Sequence, residues 1–235
     1  MILKFYVYSL AFVLNYFNFS KSYNGSIYYS LFFIFRNVVF VVIFNFIFNF
    51  MMKIFRISFL NIEILVLIFI ISILLYFLKR KYICISFSGT LVYLICKVLN
   101  IEISLNEIMF LISSLHIFEG LFIIFSLKQV EVFSMKENNF LKGKLYLPLI
   151  LNKFPIIFMI FYNRKFYNIS FKYTKFVSGV LIFVYGIIVL FISLLKKNIV
   201  SLILIWVLHE LIIFVEKFIF KKIERVKLIE NQVTL

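Results

Sequence analysis

The chain has 235 residues, of which 64% are hydrophobic and 21% aromatic, a mean hydropathy of +1.09 and a formal charge of +15. Soluble domains carry roughly 45–50% apolar residues, so this composition excludes a soluble globular protein and points to an integral membrane protein. The charge does not signal nucleic acid. Lys and Arg gather at the ends of apolar stretches, where they meet anionic headgroups and set topology, so the expected partner is the lipid bilayer.

The apolar positions are filled by 34 Phe alongside Ile and Leu, with Ala11 the single alanine, which is the signature of AT-rich codon usage before it is one of function. Cys84 and Cys96 fall in one expected span, so no disulfide framework is implied and both thiols read as small packing groups. The amino-terminal apolar stretch lacks a small-residue cleavage site before a polar region and is expected to stay.

Taken in order, apolar stretches at 5–19, 27–51, 60–78, 82–99, 103–127, 146–162, 176–195 and 198–219 predict seven or eight membrane spans. The first is short and broken by Asn15 and Asn18, and either spans or lies in the interface. The second carries Arg36, which must snorkel or face protein. The third is flanked by Glu63 and by Lys79-Arg80-Lys81, and pairs with the fourth in a helical hairpin. The fourth holds Ser86, Ser88 and Gly89, small residues that let helices approach. After the fifth, residues 129–133 and 140–147 flank the turn signal Lys136-Glu137-Asn138-Asn139, which predicts a small β-hairpin on the membrane surface. Pro148 and Pro155 make 146–162 a marginal span, kinked or re-entrant. Ser178, Gly179 and Gly186 are packing notches in the seventh, and the only tryptophan, Trp206, is in the eighth. The fold class is therefore all-α: a polytopic transmembrane helical bundle with one extramembrane hairpin. Residues 1–219 form the membrane domain and 220–235 a short basic tail, with both termini placed on the cytoplasmic side by the Lys/Arg bias.

The two histidines carry the candidate chemistry. His116 and Glu119 are three apart and share a helix face. Two readings stand: a polar clamp between helices, or a proton relay or substrate contact. His209 and Glu210 are adjacent and point about 100° apart, while Glu216 returns to the face of His209 or sits at the interface. His209-Glu210 lacks the second histidine of a zinc-protease motif, since Ile213 stands there. His116, Glu119, His209 and Glu210 make a metal set only if their helices converge, and nothing in the sequence dictates that. No catalytic residue, metal or cofactor is therefore assigned, and the expectation is a protein that is not an enzyme.

Three stretches carry a resemblance: Lys81-Tyr82-Ile83-Cys84-Ile85-Ser86-Phe87-Ser88-Gly89, Leu115-His116-Ile117-Phe118-Glu119-Gly120-Leu121, and His209-Glu210-Leu211-Ile212-Ile213. With Lys142-Gly143-Lys144-Leu145-Tyr146-Leu147-Pro148, they resemble the membrane portion of the MinJ-like family of multi-pass proteins of low-GC Gram-positive bacteria. The resemblance covers roughly residues 80–217. That family carries a PDZ domain after its last helix, where this chain stops at Leu235. The resemblance implies a multi-pass protein of the bacterial cytoplasmic membrane that anchors envelope or cell-division partners. The alternative is a small-molecule or ion transporter using the His and Glu residues; transporters often show paired broken helices, and only 146–162 looks broken.

Overall fold

The computed structural model describes residues 2–22, 27–54, 62–125, 134–135, 140–151, 154–165, 171–195 and 198–233. Its helices are α1 (Ile2–Ser22), α2 (Ile27–Ile54), α3 (Ile62–Leu78), α4 (Ile85–Val98), α5 (Leu105–Phe125), α6 (Phe171–Leu195) and α7 (Ile199–Val233), and a 3₁₀ turn, Arg80–Ile83, joins α3 to α4. Three short-to-long strands, β1 (Ser134–Met135), β2 (Phe140–Leu151) and β3 (Phe154–Lys165), form an antiparallel sheet in the order β1-β2-β3.

The chain divides into two units, one made of Met1–Phe55, Ile124–Lys175 and Phe220–Leu235, the other of Arg56–Ile123 and Phe176–Ile219. In the first, α1 packs on α2, β2 lies against both helices and β3 against α1. Ala11, Phe44 and Phe48 are buried there.

This unit corrects one expectation and bears on another. Residues 146–162 do not form a helical span: β2 and β3 pair along twelve positions, from Phe140↔Lys165 to Leu151↔Phe154. Of the hairpin expected over 129–147, the described residues show the antiparallel rungs next to its turn. Residues 129–133 and the turn at 136–139 lie outside the described residues, and β1 contributes only Ser134↔Leu141 and Met135↔Phe140. The reason is local. Pro148 and Pro155 each remove a helical donor, and the run Ile156-Ile157-Phe158 is β-branched and aromatic.

In the second unit α5 is the centre. The apolar window of α5 is 67% buried, against 33% for α6 and 22% for α7. Ile108, Met109, Ile112 and Phe118 of α5 are fully buried, with Val189 of α6 and Leu202 and Ile205 of α7. Glycines set the spacing: Gly89 of α4 lies against the side chains of Ile108 and Ile112, and Gly120 of α5 and Gly186 of α6 lie against the backbone of the opposite helix. Helix ends follow local rules. α4 stops where Asn100 turns to φ 56, with Asn100 N–H donating to Lys97 C=O and Ile101 N–H to Cys96 C=O, the left-handed cap that asparagine accepts at little cost. α7 starts at Asn198, whose Oδ1 accepts from Ser201 N–H at 3.2 Å.

Three described helices are long and apolar enough to cross a membrane: Leu105–Phe125, Lys172–Leu195 and Ile199–Ile223. The expected count of seven or eight spans is thereby reduced. α4 has 14 residues and rises only about 21 Å, short of the roughly 30 Å hydrocarbon core. α7 continues without a break to Val233, through the stretch read as a tail. Large apolar side chains face outward on α3 (Phe69, Leu74), α6 (Phe176, Phe191) and α7 (Ile203, Phe214). In water such faces are a liability; in lipid they need no partner.

Candidate functional site

The site lies within the second unit, where α4, α5, α6 and α7 each contribute one polar side chain or more. α5 and α6 touch backbone to backbone. A Cβ at Gly186 would come 2.6 Å from the nitrogen of Ile117 and 2.9 Å from the carbonyl of Ser113. This approach sets the His116 ring edge-on to Tyr185, with centroids 4.8 Å apart. His209 of α7 completes the group, 5.4 Å from Tyr185 and 5.8 Å from His116 by ring centroids.

Cys84 reaches the same point from a different local structure. It stands between the 3₁₀ turn and α4, with extended backbone at φ −60 and ψ 135, and its carbonyl accepts the first helical N–H groups, from Phe87 and Ser88. Cys84 is therefore the N-cap of α4, not a mid-helix packing thiol. Its Sγ lies 3.0 Å from Nε2 of His116.

Proton accounting defines the cluster. Nδ1 of His116 is 2.7 Å from the carbonyl of Ile112. A carbonyl only accepts, so Nδ1 carries the proton and the neutral ring offers the Nε2 lone pair. Tyr185 donates to the carbonyl of Ile205 at 3.1 Å. Ser86 Oγ is 2.9 Å from the Tyr185 hydroxyl, and with the tyrosine proton committed, the serine proton goes to Tyr185. Ser86 Oγ is also 3.4 Å from Nε2, but it has no second proton to give. The thiol of Cys84 is thus the donor to Nε2.

Nδ1 of His209 is buried and, among the described residues, has no hydrogen-bond partner. The ring is held by aromatic contacts: Phe87 lies edge-on to it at 4.9 Å and also to Trp206 at 5.6 Å. Cys84, His116 and His209 offer ligand atoms that all lie within 4.8 Å of one another.

The candidate residues of the sequence are divided by this geometry. His116 and His209 come together. Glu119 is half-buried one turn along α5 from His116, while Nδ1 of the ring is engaged by Ile112 and Nε2 by Cys84. Glu210 is half-buried on α7. Neither acid belongs to the described group close enough to share one ion. Glu216 is 4% exposed and accepts a hydrogen bond from Ser178 of α6, seven residues and about 10 Å along α7 from His209.

Three participants escape a sequence reading centred on histidine and glutamate: Cys84, Ser86 and Tyr185. Tyr185 carries a signal, since it falls in the middle of the 176–195 stretch where an interfacial tyrosine has no water to reach. Cys84 and Ser86 carry none beyond their proximity. No protein family, curated protein or solved structure matches the chain.

Proposed function

We propose that the chain is a multi-pass integral protein of the bacterial cytoplasmic membrane whose second unit holds an ion or small polar solute at the Cys84–His116–His209 cluster. The protein is not an enzyme in this reading. The observation that supports it is the convergence of two histidines, a thiol, a serine and a tyrosine from four helices. A buried polar group costs free energy unless it is paired, and polar groups at membrane depth mark ion or solute sites by default. A scaffold needs no such centre.

The test is flux in liposomes reconstituted with the full chain, using entrapped proton-sensitive and zinc-sensitive dyes. Wild type is compared with a His116→Ala/His209→Ala double variant inserted to the same level. Flux in wild type that the double variant loses supports the reading. Two inert, correctly inserted proteins overturn it.

A second reading, the anchor, has one observation in its favour. The three stretches that resemble the MinJ-like membrane body supply Cys84, Ser86, His116 and His209 to one place. In that reading the cluster shapes a surface for an envelope or division protein. A specific protein that co-purifies with wild type in mild detergent, and is lost with the double variant, supports it.

A further inference from the structure

We infer that Cys84, His116 and His209 form a binding site for one thiophilic transition-metal ion of the zinc or cuprous class. This rests on the reading that the cluster holds a ligand, and it names that ligand.

The donor set comes first. One thiolate and two imidazoles suit zinc and copper, whereas calcium and magnesium call for oxygen ligands. At ordinary bond lengths a tetrahedral ion holds sulfur and nitrogen ligands about 3.4–3.6 Å apart. Here Sγ and Nε2 of His116 are 3.0 Å apart, and the three ligand atoms lie within 4.8 Å. Closure needs a small opening of the thiol–imidazole contact and a modest turn of the His209 ring.

The surroundings fit the same ion. The Ile112 carbonyl holds His116 in the tautomer that offers Nε2, and such an outer partner is what orients a ligating histidine. Nδ1 of His209 is buried with no described partner. An unmet buried nitrogen is costly, and a metal bond through Nδ1 would satisfy it. Cys84 sits at the N-terminus of α4, where the helix dipole favours the negative charge of a metal-bound thiolate. Ser86 is turned toward Tyr185 and does not compete for Nε2.

Binding breaks the S–H bond of Cys84, forms a sulfur–metal bond and sends one proton to solvent; both imidazoles stay neutral and no electron moves. Affinity therefore rises with pH. Three protein ligands leave a fourth position open for tetrahedral zinc, the arrangement of sites that exchange a ligand rather than of closed structural ones. A cuprous ion with one thiolate is neutral overall. A zinc ion leaves one positive charge, and Glu119 is the carboxylate one helical turn from His116 on α5.

The experiment uses the full chain in mild detergent, stripped with chelator, and titrated in separate arms with zinc alone and with cuprous ion alone under reductant. Ions bound per chain, protons released and alkylation of Cys84 and Cys96 are followed. The expected result is one ion per chain in at least one arm, one proton released, and Cys84 protected while Cys96 is unchanged. Cys84→Ser and His209→Gln should each weaken binding beyond the roughly 10–100-fold that loss of an outer partner costs. Cys96→Ser should leave it as in wild type. If His116→Gln fails to fold, Cys84→Ser at its half-exposed position and protection of the wild-type thiol still decide the matter. Absence of stoichiometric binding to folded wild type in both arms overturns the metal site, as does binding that survives both Cys84→Ser and His209→Gln. Proton flux without metal binding would preserve the ligand-site reading and end this one; metal binding without flux would keep the ion at the cluster and exclude its passage across the membrane.

Discussion

Gly120 of α5 meets the backbone of Phe183 on α6: a Cβ at position 120 would lie 2.5 Å from the Phe183 nitrogen and 2.7 Å from the Gly179 carbonyl. Backbone cannot yield as a side chain does. Gly120→Ala should therefore part the helices that align His116 with Tyr185, at a cost of about 1–3 kcal/mol or more. Gly89 provides the contrast. Its added methyl would meet only the side-chain ends of Ile108 and Ile112, at 3.4 Å, and helix propensity returns up to about 1 kcal/mol. Thermal unfolding in one detergent should show Gly120→Ala clearly destabilised and Gly89→Ala near wild type. Equal midpoints would mean that α5 and α6 do not approach this closely.

The Ser178–Glu216 contact makes a second, separate prediction. Glu216 is buried and accepts from Ser178. Ser178→Ala removes a donor from a buried carboxyl group, which costs about 1–3 kcal/mol. Glu216→Gln keeps an acceptor oxygen for the serine and should cost less. Chemical denaturation in detergent checks the order. A Ser178→Ala protein as stable as wild type would remove this contact from the account of how α6 and α7 pack.

Much of the architecture was legible because hydropathy reports directly on helices that face lipid. The stretches at 103–127, 176–195 and 198–219 match α5, α6 and the first part of α7. The stretch at 82–99 exceeds the helix it contains because apolar content says nothing of where a helix begins: Arg80–Ile83 is a 3₁₀ turn and Cys84 an N-cap. At 146–162 the two prolines argue against a regular helix, but an apolar run with β-branched residues fits a strand as well as a broken helix. Pairing His116 with Glu119 followed from helical spacing alone. The tertiary partner, Cys84, is 32 residues away, and no periodicity reveals such a meeting. It comes from the packing of α4 on α5, where Gly89 lies against Ile108 and Ile112.

The hairpin can be checked by cross-linking. Leu147 and Phe158 are Cα partners in the β2–β3 register, whereas a helix would set positions eleven apart about 16 Å from one another. In a Cys84→Ser/Cys96→Ser background, Leu147→Cys with Phe158→Cys should form a disulfide on mild oxidation, since Cα atoms of a strand pair are within the roughly 4.4–6.8 Å that a disulfide spans. Leu147→Cys with Ile160→Cys, a pair out of register, should cross-link much less. Comparable yields from the two pairs would argue against this register, and a bridge in neither would restore a helical reading of the segment.

The two cysteines differ enough in setting to report on the site without any metal. Cys84 is half-exposed at the mouth of α4, while Cys96 is 1% exposed. A small maleimide should therefore modify one thiol per folded chain, at Cys84, and reach Cys96 only in denaturant. Because the Cys84 thiol donates to Nε2 of His116, His116→Gln should change the rate at Cys84 and leave Cys96 protected, provided the helical signal is unchanged. Peptide mapping of the modified sites reads this out. Modification of both thiols at the same rate in folded wild type would place Cys84 outside the cluster and remove the thiol from the proposed ligand set. Selective modification that shifts with His116 would link the two residues in solution, where the reactivity of a thiol depends on the group that shares its proton.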